Sequence, residues 1–469
     1  MRSFSKFLIA LLIISPKVVS AQEINEIFTF EEFMGYVKTH HPLMKQANLT
    51  LSIGEANLLS ARGGFDPKVE VDYDRKKFKN TEYYDLLNAT FKIPTWYGIE
   101  FKANFEQNSG EYLNPSFKIP EEGLYSVGVS FSLAQGFLIN ERMATLKKAK
   151  FFVKQSQADR DLLVNDILFN ASLAYFEWLE AFNEQQIYLS FLENARVRLN
   201  GIERSVEEGD KAEIDITEAR ILLQNRMLDL EISNLKQRKA ALKVGNYLWI
   251  NDVPLILEDN VIPKSPSIDL LDSILILEGI TNLDELAKNH PKIKSLEAKI
   301  QGLTVDRNLK RNKLLPKIDL QYNFLSEDYN QLNSFNLENY KAFVNISFPI
   351  FLREERGNLQ LANYKIQNTE FDQTSASLVI SNKIKEINFE INSLDTQNQL
   401  IENIVSDYKL MVKAEERKFF LGESSLFLIN TREQKLIDAQ IKENSLLIKQ
   451  LNATARLFNA LGTSEIRID

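Results

Sequence analysis

His41-Pro42 recurs as His290-Pro291, an offset of 249 residues, and this echo decides how the rest of the chain is read. Pro67 recurs as Pro316 at the same offset of 249. Farther along, Gly209 answers to Gly422, and Asn246-Tyr247-Leu248 to Asn459-Ala460-Leu461, both at 213. Two halves of roughly 200 residues therefore share one plan, and the first carries 36 residues more, the difference between the two offsets. Solenoid repeats are shorter, roughly 20–50 residues. Each half is instead a large unit of helices and strands.

The helices come first. Thr29-Phe30-Glu31-Glu32 reads as a capping box, with Phe28 and Phe33 placed as a hydrophobic staple. A helical segment follows from Phe30 to Arg62, kinked or broken at Pro42 and stopped by Gly63-Gly64 and Pro67. A second helix is expected from about Glu141 to Ser205 and a third from Glu213 to Leu248. The second half repeats this over about Thr281–Leu314, Glu354–Phe419 and Ser425–Leu461. The long helices, 65 and 66 residues, would each span about 100 Å. Two short helices placed end to end match one long helix in each half. Leu228, Ile232 and Leu235 step by four and three, and Leu447, Leu451 and Phe458 by four and seven. These spacings read as coiled-coil-like seams.

Strands sit between the first and second helix of each half. Val69, Val71 and Tyr73 alternate with acids; Tyr125 to Leu133 alternates apolar residues with Ser and Gly. Ile318 to Phe324 and Val344 to Ile350 do the same in the second half. Period two marks a strand with one apolar and one polar face, the dyad pattern of a membrane barrel strand. The 36 extra residues fall mostly here and hold two further runs, Leu87 to Ile93 and Tyr97 to Phe105. The first half thus offers four strand candidates and the second half two. A membrane-spanning sheet must close, and the smallest single-chain barrels use about eight strands. Spanning strands here require several copies to share one barrel.

Bulk properties narrow the function. The chain has 469 residues and a net charge of −8, with 44% hydrophobic residues. The first 21 residues hold Arg2, Lys6 and Lys17 and no acid, so the remainder carries −11. That balance argues against a nucleic-acid partner. Arg2 and Lys6, the apolar run Phe7–Ile14 and Val19-Ser20-Ala21 read as a secretory leader over residues 1–21, leaving Gln22 first. No later stretch approaches the length of a transmembrane helix. There is no cysteine, which excludes disulfides, a catalytic thiol, a thiolate metal site and an acylated N-terminal cysteine.

The order of elements, twice over, resembles the outer-membrane efflux protein family, the TolC-like channels. The likeness rests on three features. They are the duplicated first helix stopped by Pro67 and Pro316, the strand exits Phe131-Ser132-Leu133 and Phe348-Pro349-Ile350, and the third-helix entries after Gly209 and Gly422. The resemblance implies an α+β, mostly α fold. Two tandem repeats of long coiled-coil helices form a periplasmic tunnel, and strands join a shared trimeric outer-membrane β-barrel. The expected layout is a first repeat over 22–250, a connector over 251–280 in the equatorial belt, and a second repeat over 281–469. The implied function is a passive conduit of a tripartite efflux or type I secretion system, not an enzyme and with no cofactor. The implied partners are further copies of the chain (a homotrimer), a periplasmic adaptor, an inner-membrane pump of RND, ABC or MFS type, and outer-membrane lipid. The alternative is a periplasmic coiled-coil adaptor or structural protein. The family usually supplies four strands per protomer and twelve per trimer. The extra pair here either forms an extracellular hairpin, extends the barrel or folds outside it.

Site residues follow from the same resemblance. The turns between the long and third helices, Gly209-Asp210-Lys211 and Gly422-Glu423-Ser424-Ser425, are the expected adaptor-docking tips. Asp210 and Asp215 are candidate carboxylates for the closed pore end, where three copies would make an acidic ring. Against this, acids at a helix start also suit the macrodipole. His40 and His41 point about 100° apart on a helix and make a poor chelating pair. The shared position of His41 and His290 indicates a helix-packing role. With three histidines, all tied to first-helix positions, no hydrolase triad is readable.

Overall fold

The computed structural model describes residues 26–277, 288–330 and 337–468. The expected leader, the last three connector residues and the expected helix start at Thr281 lie outside them. The first repeat begins with β1 (Glu26–Phe28), α1 (Phe30–His40) and α2 (Pro42–Arg62). The capping box forms as read: the Thr29 hydroxyl accepts from the Glu32 N–H at 3.2 Å, and the Glu32 carboxylate accepts from the Thr29 N–H at 2.8 Å. Phe28 and Phe33 meet edge to face, their centroids 6.2 Å apart.

Pro42 does break the helix, and the histidine before it has a definite job. His41 sits in extended backbone, and its Nδ1 accepts from the Leu43 N–H at 3.2 Å. His290 does the same before Pro291, accepting from the Lys292 N–H at 3.1 Å. Each histidine caps a helix whose first residue, proline, has no N–H of its own. The packing role expected of this pair is therefore a capping role.

Four strands follow: β2 (Lys68–Phe78), β3 (Thr81–Pro94), β4 (Ile99–Ser109) and β5 (Leu124–Ala134). Then come the long helix α3 (Glu141–Glu207) and α4 (Glu213–Gly245). The connector holds the short strands β6 (Trp249–Ile250), β7 (Val253–Pro254) and β8 (Val261–Pro263), and α5 (Ile268–Ile274). The second repeat gives α6 (Pro291–Asn312), β9 (Lys317–Ser326), β10 (Tyr340–Ser347), α7 (Arg353–Phe420) and α8 (Leu426–Leu461). The long helices have 67 and 68 residues, about 100 Å each.

The short helices do line up beside the long ones. Near the strands, α2 packs on α3, α3 on α6, and α6 on α7. Toward the other end, α4 packs on α3, α3 on α8, and α8 on α7. Both levels thus have α7 at one edge and α2 or α4 at the other. Between the levels lies the main core. Phe30, Phe33, Tyr175, Phe176, Trp178 and Phe458 are fully buried there. The connector straps this core: β1 pairs in parallel with β8. The Tyr175 hydroxyl lies 2.8 Å from the Phe28 carbonyl and accepts from the Lys264 N–H at 3.1 Å.

Three expectations are corrected. The third helix ends at Gly245, not Leu248, and Leu248 is buried in the core beneath. The last strand stops at Ser347, because Pro349 has no N–H for a ladder and the chain turns into α7. The seam read at Leu228, Ile232 and Leu235 is not buried by the described residues of its own chain, for all three are exposed. Besides Val244 near its end, α4 buries Ala219, Arg226, Ser233 and Ala240, another heptad set, made of small and polar side chains. The second seam holds at Leu451 and Phe458, which are buried.

The histidine caps make stability pH-dependent. Burial pushes His290 down to about 4, with the Lys292 charge adding to it, and burial lowers His41 as well. Above pH 6.5 the imidazole of His290 is neutral folded or unfolded, and nothing is lost. As pH falls below 6.5, the unfolded chain binds a proton the folded chain refuses. Stability then drops until the folded group itself protonates near 4, a total of about 3 kcal/mol. His290→Asn keeps a capping acceptor and removes the titration. Its thermal midpoint, followed by circular dichroism, should fall less between pH 7 and 5 than that of the unsubstituted chain; equal slopes would rule out this origin.

Candidate functional site

Two regions carry the geometry of a conduit: the sheet at one end of the helices and the pair of turns at the other. The six long strands form one antiparallel sheet in the order β10-β9-β5-β4-β3-β2. Neighbouring strands run in opposite directions throughout. Register sets the faces, because side chains alternate along a strand. One cross-sheet row is Val69, Phe91, Ala103, Val127, Phe324 and Tyr340. The row on the other face, one residue along, is Lys68, Lys92, Lys102, Gly128, Asn323 and Lys341. The same split continues through most of the sheet, with Leu86, Leu325 and Phe343 as apolar residues on the polar face.

The polar face is knit by its own pairs. Lys92 pairs with Glu70, and Lys341 with Glu106 at 3.7 Å. Ser132 donates to Asp319 at 2.5 Å. Gly128 has no side chain because a Cβ there would lie 2.1 Å from the Asn323 Oδ1 on the next strand. On the apolar face such pairs occur toward the outer end, where Tyr73 donates to Asp85 at 3.1 Å and Arg75 pairs with Asp85 at 3.3 Å, and elsewhere aromatic rings pack on one another. Phe105 and Tyr125 are 4.9 Å apart, and Tyr322 and Tyr340 are 5.4 Å apart. The outer strands β2 and β10 are exposed along their whole length.

At the far end, both turns take the same form. Gly209 has φ +82° and Gly422 φ +78°, the left-handed region where glycine is at ease. The Asp210 N–H reaches back to the Ser205 carbonyl at 2.8 Å, and the Glu423 N–H to the Lys418 carbonyl at 2.9 Å. Both are Schellman closures of the long helix. Ser425 caps α8, accepting from the Leu428 N–H at 3.4 Å, whereas Ala212 at the matching position offers no side-chain cap. Ser424 donates to Glu415 at 2.5 Å.

The two turns are brought together. Lys211 places its Nζ 4.1 Å from the centroid of the Phe419 ring, and Ile202, Ala219 and Leu426 form a shared core beneath them. Asp210 is exposed on the turn, and Asp215 is half-buried in the first turn of α4. Sequence reading missed the aromatic residues beside them: Phe420 and Phe427 are exposed, as is Leu421 at the start of the second turn. It also missed the ion pair above the turns. Arg198 donates to both oxygens of Glu433, at 2.9 and 3.2 Å, and Glu433 is 1% exposed. No repeat offset relates Arg198 to Glu433, so only the packing of α3 on α8 reveals it.

The model of the family described as "Outer membrane efflux protein" matches residues 282–463. That match covers the second repeat, whose plan the first repeat shares. Over that repeat the chain is similar to the outer membrane efflux protein family. It is 23% identical to the pyoverdine export outer membrane protein OpmQ of Pseudomonas putida, over 66% of this chain and 64% of that one. It is 22% identical to the toluene efflux pump outer membrane protein TtgF of Pseudomonas putida, over 68% of this chain and 66% of that one. The chain therefore aligns with just under two thirds of the length of these relatives. Its fold is that of the open-state MtrE outer membrane channel of Neisseria gonorrhoeae, with TM-score 0.67, 14% identity and coverage of 92% and 89% of the two chains. The Campylobacter jejuni CmeC outer membrane channel superposes with TM-score 0.63, at 15% identity over 96% and 87%. The family is one of transport conduits, and its place is the outer membrane. The apolar-faced sheet is the part of this chain suited to the bilayer, and the long helices extend from it on the periplasmic side.

The buried ion pair supplies a test of the tip scaffold. Glu433→Ala leaves the Arg198 guanidinium buried without its bidentate partner, at a cost of about 3 kcal/mol. The double change Arg198→Met with Glu433→Leu should recover most of that. Chemical denaturation of the purified protein measures both; a Glu433→Ala midpoint equal to that of the unsubstituted chain would contradict the assignment.

Proposed function

We propose that three copies of this chain close into a tube, an outer-membrane channel serving a tripartite efflux or type I secretion system. The observation that carries this reading is continuity. A sheet with one apolar face runs directly into a helical wall about 100 Å long, and both end on the same two edges. β2 follows α2 on one edge, and β10 leads into α7 on the other. A sheet of this kind has a role in lipid. A periplasmic coiled-coil adaptor, the rival reading, would need the helices and leave that sheet without one.

The mechanism is conduction without chemistry. The tube offers a polar-lined passage from periplasm to exterior and consumes no fuel. A periplasmic adaptor docks on the paired turns at Gly209-Asp210-Lys211 and Gly422-Glu423-Ser424-Ser425, and an inner-membrane pump supplies the energy. The exposed Phe420, Leu421 and Phe427 beside those turns give the adaptor an apolar grip. Asp210 and Asp215, repeated by three copies, form the acidic ring at the closed end. Parting of the tip helices opens it. The chain needs no cofactor and is not an enzyme; the pump selects the cargo.

Outer-membrane fractionation and planar-bilayer recording test the channel. The protein should partition with the outer membrane and give discrete conductance steps; a soluble periplasmic protein without conductance would end this reading. Asp210→Ala with Asp215→Ala should lower the cation-over-anion permeability ratio and relieve block by divalent ions, and an unchanged ratio would remove the ring. Because the chain lacks cysteine, Lys211→Cys and Ser424→Cys are unique crosslinking sites. Each should yield an adaptor adduct in cells holding the whole pump, and no adduct from either would move the docking surface elsewhere.

A further inference from the structure

We propose that the pair β3–β4, present only in the first repeat, spans the membrane as part of the wall. Three copies then close an 18-stranded barrel in which β2 of one copy pairs with β10 of the next. This rests on the trimeric channel reading and adds to it the number of strands and the identity of the seam.

Position comes first. β3 and β4 lie inside the sheet, between β2 and β5, and are hydrogen-bonded on both sides. Removing them would leave β2 and β5 separated by a two-strand gap. Their lengths, 14 and 11 residues, suit a tilted span, which takes about 9–11 residues. Their apolar side chains fall on the same face as those of the other four strands, as the row from Val69 to Tyr340 shows. On the polar face, the Asn104 amide of β4 donates to Thr90 on β3 at 2.8 Å and also to Asn88.

Both ends of the pair are built like the ends of spanning strands. The outer β2–β3 turn is a two-residue hairpin, Lys79 and Asn80 with φ +50° and +64°, the type that matches strand twist. The inner turn between β3 and β4 is fastened to the start of the helices. Asn140, the N-cap of α3, donates to the Trp96 carbonyl at 3.0 Å, and Trp96 stacks on Phe65 with centroids 5.6 Å apart. Gly98 has φ +72°, and a Cβ there would lie 2.7 Å from the Gly136 carbonyl oxygen. The pair is therefore held at the same level as the ends of β2 and β5, and is not splayed away.

The edges then name their occupant. Backbone N–H and C=O groups left open in hydrocarbon cost several kcal/mol each, so neither β2 nor β10 can remain an edge there. β2 runs away from the helices and β10 toward them, so the two pair antiparallel when copies are placed side by side with the apolar faces aligned. Charge agrees in sign: the polar face of β2 carries Glu70, Asp72 and Asp74 against Lys68 and Lys76, and that of β10 carries Lys341. Size agrees as well. Eighteen strands about 4.8 Å apart and tilted about 40° give a ring of roughly 110 Å. Twelve helices, four per copy, at about 8–10 Å spacing give roughly 100–120 Å. Without β3–β4 the strand ring would shrink to about two thirds of that.

Two measurements test this in proteoliposomes of the full chain. Ala103→Cys on β4 and Val129→Cys on β5 each take an environment-sensitive fluorophore, and quenching by nitroxide on lipid acyl chains is compared with quenching by aqueous iodide. Both labels should be quenched severalfold more by the lipid nitroxide. Lipid quenching at Val129 but only iodide quenching at Ala103 would put the pair outside the wall and overturn the proposal, leaving the channel reading intact. Failure of lipid quenching at both sites would overturn the two together. For the seam, Glu70→Cys is combined with Phe343→Cys or with Asn345→Cys. Within one copy these edges are five strand spacings apart, about 24 Å, far beyond disulfide reach, so any bridge joins two copies. Oxidation should give disulfide-linked trimers for at least one combination. Monomers alone from both would refute the seam.

Discussion

A backbone amide in hydrocarbon has no water to turn to, and most of this structure follows from that constraint. The six-stranded sheet presents an apolar face fit for lipid and two strands, β2 and β10, with one side of their backbone open. Such a sheet cannot stand alone in a bilayer. In the trimeric reading its requirement for neighbouring copies passes down the molecule, because the edge strands continue into α2 and α7. The helical wall is therefore open on the same two sides as the sheet. One seam runs from membrane to tip, and whatever closes the sheet must close the helices.

The helices bear the mark of that seam. α4 carries Ile214, Ile221, Leu228, Leu235 and Leu242 at intervals of seven, all between 54% and 70% exposed. α7 shows Tyr364, Phe371 and Leu378 at the same interval, also exposed. A seven-residue apolar stripe is the contact line of a coiled coil. Within the chain, α4 packs on α3 through Ala219, Ser233 and Ala240 instead, small residues that let the two helices lie close. Along most of its length α4 thus turns small side chains inward and keeps its large apolar ones for the edge. Arg226 and the Arg198–Glu433 pair are charged side chains inside, and they tie α3 and α4 to α8 at one register.

The repeat, the capping box, the helix breaks and the period-two strands were all legible in the sequence, because each depends on neighbours within a few residues. Thr29 with Glu32, His41 with Pro42, and Val69, Val71 and Tyr73 each state their local conformation. The paired tip glycines were legible for the same reason. What misled was the seam at Leu228, Ile232 and Leu235: spacing says that a stripe packs, not in which chain its partner lies. The Lys211 contact with Phe419 and the Arg198–Glu433 pair were invisible, since each joins residues more than 200 positions apart with no relation through the repeat.

By itself, the sequence determined the kind of each long segment, the two-fold plan and the period-two pattern of the six long strands, because hydrophobic period and backbone stereochemistry act locally. It left three places for the extra strand pair. Only the tertiary structure gives the pair its place in the sheet, by registering β3 and β4 between β2 and β5 and pinning their inner turn to Asn140 and Phe65. Strand order is a matter of which distant backbones exchange hydrogen bonds. A strand's own alternation is identical whichever neighbour it takes, so that choice exists only in the folded molecule.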